Sequence, residues 1–444
     1  MARAGQSEPI PAAWCRPDFC FSTHLLRVPL TPDILARSRR PGFLALRGRS
    51  SHSIPARFRS LLLVAVAIIV GRVGWSGHVL TLPIAIIFPA LWALSPSRVV
   101  AGMVSAGYFL AASRGLPQGV ANFYAADFWP GLLLWIAASV AFVAVHTVLW
   151  AMRPEQGLPG RRALRYLVAM VLIGLPPFGI TGWAHPLTAA GVLFPGWGWW
   201  GLAATATGLA TTTSRFWPAA VLALAGFWLW SAAKWTQPGV PQGWKSVDLK
   251  YGASLGRDGS LDRHRDLIAT VRAQADDGTR FVVLPESALG FWTPTIARLW
   301  QDGLQGLDLT VIAGAAVINT GGYDNVMVVI STDGPRVLYR ERMPVPVSMW
   351  QPWRAWSGHD GGAHANFFAN PVVELSGRKI APLICYEQLI VWPALQSILH
   401  SPDIMVATGN GWWTVGTSIA EIQQASAIAW ARLFSLPIVI AFNM

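Results

Sequence analysis

The sequence predicts a multi-span α-helical membrane domain followed by an α/β domain. Three observations carry this: a mean hydropathy of +0.41 with only 13% charged residues, apolar stretches that recur through the first half, and β-rich runs that alternate with helical ones in the second. The 24 Trp residues agree, because an indole keeps an apolar ring in lipid and its N–H in water at a membrane interface. The net charge of +12 raises nucleic acid as a partner. The basic residues are mostly Arg scattered through a tail and short loops, however, with no block that could track a phosphate backbone, so direct nucleic-acid binding is not expected. Three Cys exclude a disulfide framework, and Cys385 has no partner in its own half, which leaves it as inert core or reactive thiol.

Residues 1–59 hold Arg3, Arg16, Arg27, Arg37, Arg39, Arg40, Arg47, Arg49, Arg57 and Arg59 against Glu8, Asp18 and Asp33. With little to bury, this segment is expected to be a disordered cytoplasmic tail. It has no secretory signal, since the first long apolar run begins near Leu61. Cys15 and Cys20 lack a second Cys/His pair at ligand spacing, so no metal is assigned to them.

Residues 60–235 contain the apolar stretches Leu61–Trp75, Val79–Leu94, Val99–Ala112, Phe128–Met152, Leu164–Thr181, Trp197–Thr213 and Phe216–Ala233, read as about seven spans. The second and third are short or interrupted by Pro and Gly. With the tail inside, Arg98, then Arg153, Arg161, Arg162 and Arg165, then Arg215 fall in cytoplasmic loops, as positive-inside retention requires. An odd count sends everything after Trp235 to the other face of the membrane, and an even count would reverse that step.

Residues 236–444 open on a Pro/Gly linker and continue with strands expected at Phe281–Leu284, Leu309–Val317, Val326–Ile330, Ile380–Ile384, Ile404–Ala407 and Pro437–Phe442. Helices are expected at Arg263–Asp276 and Ile419–Leu433. Strands alternating with helices favour a sheet covered by helices.

Three segments at strand ends carry groups with chemistry: Leu284-Pro285-Glu286-Ser287, Tyr339-Arg340-Glu341-Arg342-Met343-Pro344-Val345-Pro346 and Ile384-Cys385-Tyr386-Glu387. Singly they read as a solvated acid, a charged hairpin end and a core thiol. In this order, followed by Thr408-Gly409-Asn410-Gly411-Trp412-Trp413, they resemble the nitrilase (carbon-nitrogen hydrolase) superfamily, and within it the membrane branch of apolipoprotein N-acyltransferase. The segments Gly179–Leu187 and Met343–Trp350 are more similar still to the conjugal transfer protein TraB family. The resemblance runs from about Leu61 to Met444. It implies a nitrilase-type α-β-β-α sandwich, with Cys385 as nucleophile, Glu286 as general base and Glu387 in support, and it implies no cofactor.

A thiolate attacks an ester or amide carbonyl to form a thioester, a carboxylate carries the proton, and a cation or N–H groups hold the oxyanion. The resemblance implies a membrane lipid or lipid-linked substrate, and conjugation-apparatus proteins as partners. Two departures stand out. The family lysine aligns with Glu341, and the chain ends at Met444, where relatives continue, so it is expected to be truncated or diverged there. In an extended segment Arg340 and Arg342 face one way and Glu341 the other, so an arginine could replace the lysine only through a one-residue bulge or slip. Without it, Glu341 faces Glu286 and one of the pair is protonated. The alternatives to an acyltransferase or amidase are therefore a catalytically lapsed membrane platform, or an apolipoprotein N-acyltransferase proper.

Trp350, Trp353 and Trp356, and Trp412 and Trp413, are candidate substrate or membrane contacts. His185 reads as a packed interfacial histidine. His359 and His364 have no third ligand, and no metal is assigned.

Overall fold

The structure is a computed structural model that describes residues 56–151, 160–256, 259–276 and 278–444. Most of the expected tail, with Cys15 and Cys20, and the loop arginine Arg153 lie outside the described residues.

The first half is helical throughout. Helix α1 spans Ala56–Gly74; a 3-10 segment, Val79–Ile87, runs into α2, Phe88–Leu94. Then come α3 (Arg98–Ala112), α4 (Leu116–Tyr124), α5 (Phe128–Leu149), α6 (Arg161–Gly174), the short α7 (Ala190–Leu193), α8 (Gly198–Thr212) and α9 (Trp217–Ala233). Each apolar stretch of the sequence thus falls on helix. Crossing ~30 Å of hydrocarbon takes roughly 20 residues, however. Among the described residues only α5, at 22 residues, is long and apolar enough, with α3 and α4 as a second candidate if their pair, bent by 48°, is taken as one. The expected seven spans are not supported. The sequence runs past the true helix ends because Gly and Pro stop the helices early: α6 ends before Pro176 and Pro177.

The second half is a sandwich of two sheets. The first holds β1 (Trp244–Ser246), β2 (Phe281–Val283), β3 (Thr310–Asn319), β4 (Gly322–Ile330) and β5 (Arg336–Arg340) in that order, parallel through β1–β2–β3 and antiparallel through β3–β4–β5. The second holds β6 (Val373–Leu375), β7 (Arg378–Ile384), β8 (Ile404–Asn410) and β9 (Ile438–Asn443), with β7, β8 and β9 parallel. Parallel neighbours need covered faces, and the strands read as continuous apolar runs for that reason. Alternate residues divide between the layers. Val283, Ile312, Met327, Ile384 and Val406 fill the space between the sheets. On the other faces, Val282, Val311 and Val328 meet Leu267 and Val271 of α10 (Leu261–Arg272) and Trp300 of α11 (Pro294–Gly303). Leu383 and Met405 meet Val391 and Ala394 of α13 (Val391–Ile398) and Trp430 of α14 (Ile419–Leu433). This is the expected α-β-β-α arrangement; α12, Pro352–Trp356, is a short excursion from it.

The helical half and the sandwich share a core. One apolar core joins residues of α1, α3, α5 and α6 to Leu389, Trp392, Ile422, Ala425 and Ala429. Polar contacts stitch the same seam: Tyr386 Oη donates to Ile180 O at 2.7 Å, and Asn122 Nδ2 donates to Trp413 O and Val415 O. The described residues form a single compact unit.

Candidate active site

Glu286 follows β2 directly. The turn that carries it packs so tightly onto β3 that a Cβ on Gly314 would collide with the Glu286 backbone. Backbone bonds from Gly314 N to Pro285 O (3.1 Å) and from Leu289 N to Gly314 O (3.0 Å) hold it there. Cys385 follows β7, at the carboxyl end of a parallel strand, and its φ of 45° places it in the left-handed region, an uncommon conformation for a residue with a Cβ. The backbone N–H of Ile384 donates to Glu387 Oε2 at 2.8 Å and ties this sharp turn down.

Glu286 and Cys385, both buried, meet in one cleft. Asn325 Nδ2, on β4, donates to Glu286 Oε1 at 2.8 Å and to Glu341 Oε2 at 2.8 Å. Glu286 Oε2 and Glu341 Oε1 are buried without a hydrogen bond of good geometry. Gln423 Nε2, from α14, donates to Cys385 Sγ at 3.7 Å. Burial, Glu286 and Glu341 push the Cys385 thiol well above its usual range. Burial raises Glu286, with Asn325 and the thiol opposing; Glu341 is raised further, by burial and then by Glu286 and Glu387. Tyr323, on the same face of β4 as Asn325, is raised by burial and by both acids.

Glu341 therefore faces inward. Its N–H donates to Asn325 O at 2.9 Å, which extends the β4–β5 ladder by one residue and keeps the alternation, with Arg340 turned outward onto Asp324 (Nε–Oδ2 2.9 Å). A register shift does occur, between Met327 and Val328, upstream of the residues it would have had to exchange. The chain leaves the strand after Glu341, so Arg342 is buried as well, behind the cleft. Its Nε donates to Tyr339 Oη (2.9 Å), Nη1 to Ser397 Oγ (3.1 Å) and Nη2 to Pro382 O (3.0 Å). Glu387 closes this group, accepting on Oε1 from Tyr339 Oη (2.6 Å) and from Arg342 N (2.8 Å). Neither arginine replaces the lysine, and Glu387 holds the turn and Arg342 rather than reaching the cleft.

The cleft opens into a cavity of about 440 Å³. Glu286, Cys385, Asn410 and Gln423 lie at its polar end, and apolar walls come from α4 and α5 (Val120, Phe123, Leu134, Ala138), Trp183, Val345–Met349, Tyr386, Trp412 and Trp413. Of the aromatic candidates, Trp412, stacked on Phe123, and Trp413 line it. Trp350 packs edge-on against Phe367 and Trp353 is exposed; the side chain of Trp356 lies outside the described residues. His185 is buried against Met170 O, His359 bonds Ser357, and His364 stands beside Asp324.

A family model for carbon-nitrogen hydrolases matches residues 110–432. The chain belongs to the carbon-nitrogen hydrolase family. That match begins inside α3, so it takes in the helices that wall the cavity as well as the sandwich. The chain is 69% identical to "Conjugal transfer protein TraB" of Agrobacterium fabrum over 93% of its own length and 99% of the relative's. It is 63% identical to "Probable conjugal transfer protein TraB" of Sinorhizobium fredii over 86% and 97%. Among solved structures it is similar to an amidase from Nesterenkonia sp. (12% identity, 47% of this chain and 78% of that one, TM-score 0.33). It is also similar to a carbon-nitrogen hydrolase from Helicobacter pylori (16% identity, 45% and 72%, TM-score 0.32).

Sequence reasoning missed Asn325, Gln423, Tyr323 and Gly314. A signal existed for two of them: Asn325 is a polar residue in an otherwise apolar inward row of β4, and Gln423 shares the buried face of α14 with Ile419 and Ala427, four residues to either side. Such positions usually mean a satisfied partner or a site. Tyr323 and Gly314 carry no such mark, since each acts through a neighbour from another strand or loop.

Proposed function

We propose that this chain is a membrane-anchored thioester enzyme, an N-acyltransferase or amidase, that acts on a lipid-linked substrate in support of plasmid conjugation. The observation that carries the reading is the meeting of Glu286 and Cys385 at the polar end of an apolar cavity walled by α5, the helix long enough to cross a bilayer. Trp129, Leu133, Ile136 and Val140 of α5, and Leu222, Leu229 and Trp230 of α9, point outward and are exposed, as lipid-facing helices require. The names of the two conjugal transfer relatives support the conjugal role.

In this mechanism Glu286 takes the Cys385 proton as sulfur attacks the carbonyl carbon. It returns that proton to the leaving alcohol or amine as the carbon–heteroatom bond breaks and a thioester remains. An amine or water, deprotonated by Glu286, then attacks the thioester and releases the thiol. A maleimide or fluorophosphonate probe should label Cys385 in membranes, and Glu286→Gln should abolish that labelling; labelling unchanged by Glu286→Gln would remove Glu286 as base. With the arginine-rich tail in the cytoplasm, an odd number of spans would put the sandwich on the periplasmic side of a bacterial inner membrane. A periplasm-dependent reporter fused after Gly243 should be active, and activity of a cytoplasm-dependent one would reverse it.

One observation favours a second reading, a lapsed site kept as a binding platform for conjugation proteins: among the described residues Arg340 is turned onto Asp324 and Arg342 is held behind the cleft, so the oxyanion would rest on neutral donors alone. Absence of any hydroxylamine-sensitive acyl group on Cys385, in cells fed a labelled fatty acid, would favour it.

A further inference from the structure

We propose that Glu341 serves this site as a neutral carboxylic acid, forming with Glu286 and the bridging amide of Asn325 a unit that carries one proton and leaves Glu286 as its single anion. The proposal deepens the reading of Cys385 and Glu286 as nucleophile and base. Its geometry is the shared donor: one amide nitrogen gives a hydrogen bond to each carboxyl, so the two groups face each other across a single atom. Both acids are buried, and among the described residues no ion pair reaches either. Two carboxylates so placed cannot both hold their charge.

The surroundings decide which one keeps the proton. Glu286 has the Cys385 thiol and the Asn410 backbone beside it as well as Asn325, all of which favour its anion. Glu341 has Asn325 alone, while the negative charge of Glu387 acts on both acids. Each acid also leaves one buried oxygen without a donor, and because a buried unpaired charge costs more than a neutral acid, one proton on the pair lowers the cost of burying both. Where the family keeps a lysine, this chain keeps a neutral acid. Glu341 is then a positioning residue, which fixes Asn325 and through it Glu286 Oε1 without adding a charge that would suppress the thiolate.

The test is infrared spectroscopy of the full-length protein in detergent at pH 7, together with the pH dependence of maleimide labelling. A carboxylic-acid carbonyl band is expected in the wild type and in Glu286→Gln, and should be lost in Glu341→Gln. The acid limb of the labelling profile should move by less than about half a pH unit in Glu341→Gln, because one neutral group replaces another. A Glu341→Gln protein that retains the full acid band, or whose acid limb falls by about one unit or more, overturns the proposal, since removal of a true carboxylate relieves repulsion on both Glu286 and the thiol. Should that variant not fold, loss of the wild-type band on raising pH from 4 to 7 has the same overturning force, and persistence of the band supports the proposal. Failure of Cys385 to label at any pH would count against the nucleophile reading, while the infrared band would still decide the state of Glu341.

Discussion

Two buried charge clusters lie back to back at the end of β5, and they are built on opposite terms. In the rear cluster Arg342 and Glu387 are a matched pair, and Tyr339, Ser397, Pro382 O and the backbone N–H groups of Arg342 and Ile384 supply nearly every hydrogen bond the two charges can make. In the front cluster two acids share one amide, and each leaves an oxygen unmatched. Consecutive residues, 341 and 342, belong one to each. A saturated cluster serves the fold, because every lone pair and proton is committed. The unsaturated one keeps free lone pairs beside a thiol, at a cost in stability, and that is where chemistry is expected.

The comparison breaks first, and by the largest margin, at the reactive pair. Cys385→Ser should abolish thiol labelling at this site, and Glu286→Gln should slow it by about 10²–10⁴-fold, with melting temperatures close to wild type. A large loss of stability in either would mean that the front cluster is structural too. Next comes the rear cluster: Glu387→Gln leaves the Arg342 charge uncompensated and should cost about 3–5 kcal/mol, measured by denaturant unfolding in detergent. A cost under about 1 kcal/mol would show that Arg342 finds other partners. A smaller effect is expected at the hinge between strand and acid. Gly314→Ala forces the Glu286 turn away from β3 and should cost about 1–3 kcal/mol while slowing Cys385 labelling; intact labelling would show that the turn tolerates the shift.

The last effect starts near zero and grows with pH. The acids of the front cluster have folded values raised above their unfolded ones. Their contribution to stability is therefore whole below the ordinary carboxylate range and is lost as pH rises through the raised values. Glu341→Gln, which cannot ionise, should unfold at nearly the wild-type temperature near pH 5 and gain on the wild type as the pH climbs, by about 1.4 kcal/mol for each unit of pH over which the acid would otherwise ionise. A difference that does not change with pH would place Glu341 in a solvated, ordinary setting.

Much of the second half was legible. Six strand segments were expected at or near β2, β3, β4, β7, β8 and β9, and two helices near α10 and α14, because buried parallel strands announce themselves as unbroken apolar runs. The edge strands β1, β5 and β6 were not, being short or polar on their open side. In the first half the apolar stretches located α1, α2, α3, α5, α6, α8 and α9 but missed α4 and the short α7, and they overstated how many helices could cross a bilayer, since hydropathy continues through the Gly and Pro residues that end a helix.

By itself the sequence determined an α/β domain with helices over its sheet and the presence of Glu286 and Cys385 at strand ends, because burial patterns and residue types are local properties of the chain; the two-sheet sandwich and the departure from a lysine at Glu341 came from its resemblance to the nitrilase superfamily. Only the tertiary structure decided which way Glu341 and Arg342 turn, since that depends on where β5 leaves its ladder with β4. It also decided that Asn325 and Gln423 stand against Glu286 and Cys385, and that α4 and α5 close the cavity over them. Those partners are separated from the acid and the thiol by tens to hundreds of residues, and only packing brings such distant positions within reach of a hydrogen bond.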